Sequence, residues 1–71
     1  MNPEFALLLE NKVNAILECD VKSRKKRMGP EEASVNQKIR DDLLEKIKAL
    51  LHKHPEVAAH PSLSKIEKDL R

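Results

Sequence analysis

The side chains best suited to chemistry in this chain fall into two groups: the cations Lys22, Arg24, Lys25, Lys26 and Arg27, and the histidines His52, His54 and His60. Five cations within residues 21–28, with no acid among them, can neutralise nucleic-acid phosphates or serve as a nuclear address, since either needs only an accessible cationic stretch. The plain alternative is a solvated linker. No aromatic residue is interleaved with the run and Phe5 is the only one in the chain, which argues against stacking on single strands. The H-x-H-x5-H spacing would allow two or three imidazole ligands. Zinc normally takes four, and Cys19 is the only thiol, so helix-end histidines stabilised by the dipole are the preferred reading and no metal is expected.

Catalytic groups are scarce. Glu31, Glu32, Asp41, Asp42 and Glu67 lie among lysines at helical spacing, and a chain this small has little interior in which to raise a carboxylate pKa. Gly29 is the only glycine, so no glycine-rich phosphate loop exists, and no Ser/His/Asp or Cys/His motif is recognisable. The expectation is a non-enzymatic protein without a cofactor. Ile47-x-x-Leu50-Leu51 has the form of a helical motif that fills a partner's groove, but the same three side chains are needed for a core.

The elements that carry these groups are helical. The longest amphipathic run, 34–54, places Val35, Ile39, Leu43, Leu44, Ile47, Leu50 and Leu51 at steps of three and four, gathering them on one side of a helix. Ser34 with Gln37 fits a capping box and Pro55 ends the run; a start at Pro30 is equally compatible. Asn2-Pro3 opens a first helix over about 3–21, with Phe5, Leu8, Leu9, Val13, Ile16 and Leu17 on one face. Residues 22–29 form a basic linker into which that helix can fray, closed by Gly29-Pro30. After a connector of two prolines, with one turn around Val57 and Ala58, a third helix is expected over 62–71, with a Ser64/Glu67 capping box and Leu63, Ile66 and Leu70 at i, i+3 and i+7.

Together these give an all-α chain, a small three-helix bundle in one domain over 1–71. The expected inward set is Phe5, Leu9, Val13, Ile16, Ile39, Leu43, Ile47, Leu50, Ile66 and Leu70. At 71 residues one core supplies only a few kcal/mol, and Leu7, Leu44 and Leu51 widen their stripes beyond what three short helices cover. Those three are therefore the expected partner-binding residues, and a homodimer or a partner helix is expected to complete the bundle. The lone Cys19 and the short apolar run Phe5 to Leu9 point to an intracellular setting without a membrane span.

Val35, Lys38, Arg40, Leu43, Leu44 and Ile47, followed by Ile66-Glu67 and Leu70, resemble the opening of the central helical domain of TFIIS-type transcription elongation factors, with its V-x-x-K-x-R-x-x-L-L helix and later I-E-x-x-L. Gln37, Arg40, Leu43, Lys46, Ile47 and Leu50, then Pro55-Glu56 and Ala58-Ala59, are also similar to the first helix and following loop of KIX coactivator domains. Both resemblances imply transcription-linked protein binding, and the basic run 22–27, read as a nuclear address, makes a nuclear location the expectation. The expected function is a helical protein-interaction module of a regulatory protein, with nucleic-acid binding through 22–27 as the alternative.

Overall fold

The computed structural model describes residues 3–70, which form an all-α arrangement of three helices: α1 (Pro3–Lys25), α2 (Pro30–Lys53) and a short α3 (Glu67–Leu70). Two 3-10 turns, Pro55–Ala59 and Pro61–Ile66, lead into α3. Good helix formers carry α1 through the first four residues of the expected linker, and the cations of its last turn, Lys22, Arg24 and Lys25, suit the negative end of the helix dipole. Only residues 26–29 separate the two long helices. The expected cap at Asn2 lies outside the described residues.

α2 begins at the earlier of its two candidate starts. Pro30 occupies its first turn and Gly29 precedes it in extended conformation, without a side-chain cap; Glu31 and Glu32 suit the positive end of the dipole there. Ser34 therefore lies inside the helix, and Gln37 donates to Asp41 Oδ1 at 2.9 Å instead of closing a capping box. The expected third helix is also altered. His54 and His60 each precede a proline, which disfavours helical backbone, and both are non-helical. The short stretches that follow wind as tighter 3-10 turns, with a true α-helix only from Glu67. Ser64 lies within the second 3-10 turn, and its Oγ donates to the Pro61 carbonyl at 2.8 Å.

Four cross-pairs establish α1 and α2 as an antiparallel hairpin. Lys26 meets Glu32 beside the turn, the Cys19 carbonyl meets Asn36, Asp20 meets Arg40, and Phe5 stacks on His54 at the open end with ring centroids 4.1 Å apart. The C-terminal segment returns along this hairpin, with His60 beside Glu10 and Asp69 beside Arg40. It thus runs in the direction of α1.

Leu9, Val13 and Ile16 from α1, Leu44 and Ile47 from α2, and Val57, Leu63 and Ile66 from the connector make one buried cluster. Phe5, Leu17, Leu43, Leu50, Leu51 and Leu70 pack around it. Ile39 departs from expectation: it is 50% exposed, and Val35 is 57% exposed. The reason is the rotation of α2. Asn36, Arg40, Leu44, Ile47 and Leu51, at steps of four and three, share the inward stripe, so Arg40 reaches acids on both flanking elements while Ile39 turns toward water.

Candidate partner-binding surface

The inward stripe of α2 changes chemistry along its length, and that change leaves an apolar surface free. Near the turn, Asn36 Nδ2 donates to the Cys19 carbonyl at 3.0 Å. One turn later Arg40 Nε donates to Asp20 Oδ1 at 2.8 Å and Nη2 to Asp69 Oδ2 at 2.9 Å, with longer second contacts of 3.3 and 3.2 Å to the same two carboxylates. The planar guanidinium satisfies both acids at once, a geometry that a lysine lacks. Its side chain is 17% exposed. Hydrogen bonds to Asp69 and then Asp20 raise its pKa beyond its already high ordinary value, so it stays charged. The bonds from Arg40, aided by its charge and that of Lys48, hold the Asp69 carboxyl below the usual carboxylate range against the opposing effect of burial.

With Arg40 turned inward, Val35 and Ile39 stand on the outer side of α2, one turn apart. They line a shallow groove with Met28, Asn36, Glu32 and, from the last turn of α1, Lys22. The turn is clamped by Lys26 Nζ donating to Glu32 Oε1 at 2.7 Å, which fixes the groove's acidic wall in an ion pair. Neither the exposure of Ile39 nor the ion triad was recognised in the sequence. The available signal was Arg40 itself, a charge within an otherwise apolar helical stripe.

The basic run lies beside this groove. Lys22, Arg24, Lys25, Lys26 and Arg27 are all exposed, the first three on the final turn of α1. At about 100° per residue Lys22 and Lys25 share a side of α1 while Arg24 lies elsewhere, and Lys26, just past the helix end, donates its amide to the Lys22 carbonyl at 3.0 Å. Of the leucines expected to bind a partner, Leu7 is exposed, Leu51 packs on the core, and Leu44 is buried within it. The rotation that exposes Ile39 also brings Leu44 inward, so Leu44 is withdrawn as a solvent-facing contact. Leu8 and Val21 join Leu7 among the exposed large apolar residues. Ile47 of the I-x-x-L-L sequence is buried, and Leu50 and Leu51 pack on the core.

The histidines are separated in role. His60 Nδ1 accepts the Ser62 amide at 3.1 Å, so a neutral ring carries its proton on Nε2, which stands 3.3 Å from Glu10 Oε1. His54 stacks on Phe5 and His52 is exposed. Among the described residues no three His, Cys, Asp or Glu side chains form a group that could hold a metal ion. Cys19 is buried and free, and no described helix is long and apolar enough to cross a membrane. No protein-family model, curated protein or solved structure matches the chain.

Proposed function

We propose that this protein is a non-enzymatic helical module that binds another protein through apolar surface left outside its core. The observation that carries the reading is the exposure of Leu7, Leu8, Val21, Val35 and Ile39 on a chain whose buried cluster closes without them. Val35 and Ile39 share one groove whose lining includes Lys22 and Glu32, and grouped aliphatic surface of that kind marks an interface. The transcription-linked, nuclear setting rests on the two family resemblances and on the exposed cations at 22–27, which suit a nuclear address. Self-association is the simplest form of the same idea, with Leu7 at the start of α1 and the half-buried Leu51 as its remaining candidate contacts.

The test is a Val35→Asp, Ile39→Asp double variant compared with the wild type by thermal melting and by binding of an apolar-surface dye. Unchanged melting with reduced dye binding supports the reading; a large loss of stability sinks it, because the two residues would then belong to the core. The alternative, phosphate contact through 22–27, is tested by titrating DNA and RNA at two salt concentrations. Phosphate binding weakens steeply with salt, whereas apolar binding is far less sensitive. Sedimentation across a concentration series decides whether a second copy is the partner.

A further inference from the structure

We infer that the groove between the last turn of α1 and the first turns of α2 receives an acidic amphipathic helix of a partner protein, its apolar side chains seated on Met28, Val35 and Ile39 and its carboxylates facing Lys22 and the cations after it. The inference rests on the interaction reading above and names the chemistry of the occupant.

Shape supplies the first argument. Val35 and Ile39 are four residues apart on one helix, so their side chains stand roughly 5–6 Å apart. That spacing forms a ridge against which the i, i+3 and i+4 side chains of a second helix interdigitate. Met28 extends the apolar floor from the connecting turn with an unbranched side chain that adapts to what it meets.

Charge complementarity supplies the second. The groove's own acid, Glu32, is neutralised by Lys26. Lys22, which lines the groove, and Lys25 and Arg27 after it are exposed and engaged in no ion pair among the described residues. The exposed acids flanking this run in sequence are Glu18, one turn before Lys22 on α1, and Glu31 in the first turn of α2, and of the charged residues that line the groove, Lys22 is the one outside any ion pair among the described residues. A carboxylate-flanked helix complements that border and a lysine-flanked one does not.

The same features disfavour two other occupants. A nucleic acid would meet Glu31 and Glu32 at the helix N-terminus that would otherwise attract phosphate, and aliphatic side chains where stacking aromatics would be needed. A second copy of this chain offers Leu7 and Leu8 flanked by Glu4 and Glu10. Glu10 already faces His60 and Glu4 is also engaged within the chain, so neither acid is free to meet the cations.

The experiment uses the full chain and two synthetic peptides of roughly 16 residues with leucines at i, i+3, i+4 and i+7, one flanked by glutamates and one by lysines, with duplex DNA as a third probe. Calorimetry and amide chemical shifts should show the acidic peptide binding at least roughly tenfold tighter than the basic one, with shifts at Met28, Val35 and Ile39. Ile39→Asp should abolish that binding without altering the melting temperature. Lys22→Glu combined with Lys25→Glu should reverse the peptide preference. Equal affinity for both peptides, or acidic-peptide binding untouched by Ile39→Asp, overturns the acidic occupant while the interaction reading stands. Dimerisation of the free chain that Ile39→Asp abolishes overturns it in favour of a second copy. Binding of DNA with a steep salt dependence, and of neither peptide, overturns both the inference and the reading beneath it.

Discussion

The two ends of the α1–α2 hairpin are held together by different physics. Toward the open end, Leu9, Val13, Ile47, Val57 and Leu63 exclude water by packing hydrocarbon on hydrocarbon. Toward the turn, the same side of α2 presents Asn36 and Arg40, which meet the Cys19 carbonyl, Asp20 and Asp69 through directed hydrogen bonds. Apolar burial is non-directional and tolerates a shifted neighbour, whereas the guanidinium fork requires both acids at set positions. The polar end therefore specifies how the C-terminal segment seats against the hairpin. It also frees Val35 and Ile39, because an arginine occupies the inward position that an aliphatic residue would otherwise take. One end supplies the larger share of stability and the other supplies register and an accessible surface.

The contrast is tested most severely in the apolar half. Ile47 is fully buried, so Ile47→Ala should destabilise the protein by about 3–4 kcal/mol, with denaturant unfolding as the measurement. A loss below about 1 kcal/mol would show that the open end is not the main core.

Next in size is Arg40→Ala, which removes the shared partner of two carboxylates and leaves Asp20 and Asp69 facing one another. The expected loss is about 2–3 kcal/mol, accompanied by faster amide exchange in 61–70 as the C-terminal segment detaches. Arg40→Lys should recover the charge but only part of the stability, since it cannot engage both acids in the same plane. Full recovery by lysine would mean that charge alone matters at this end.

A smaller effect should appear in the acid limb of the stability curve. The Asp69 pKa is depressed in the folded state, so its contribution is fully present above the unfolded carboxylate pKa of about 3.9 and is lost as pH falls through the lower folded value. Between pH 7 and 5 this group should leave stability unchanged. Asp69→Asn should lower stability at neutral pH by about 1 kcal/mol, reduced by the partial exposure of the pair, and should flatten the decline below pH 4. Denaturation midpoints across the pH range check both statements, and an unchanged acid limb in Asp69→Asn would remove Asp69 from the triad's energetics.

The smallest change is expected where the sequence pattern alone suggested a large one. Ile39→Ala should alter stability by no more than about 0.5 kcal/mol, because the side chain already faces water. A loss comparable with that of Ile47→Ala would place α2 in the other rotation and close the groove.

What the sequence by itself determined was the helical class, the approximate positions of the two long helices and most of the buried set. Those follow from local rules: period, proline position and the scarcity of strand formers act within a few residues of each other. Leu9, Val13, Ile16, Ile47 and Ile66 lie in stripes with no competing claim to the inward side, and all five are buried. The basic run was equally plain, since exposed cations need no partner to be recognised. The rotation of α2 was decided only by tertiary structure. Periodicity gave Val35 and Ile39 the same inward weight as Leu43, and no local rule values an arginine at the core edge, because its benefit depends on Asp20 and Asp69, 20 and 29 residues away. The groove at Met28, Val35 and Ile39 exists because that long-range ion triad, absent from any local window, determines which side of α2 turns outward.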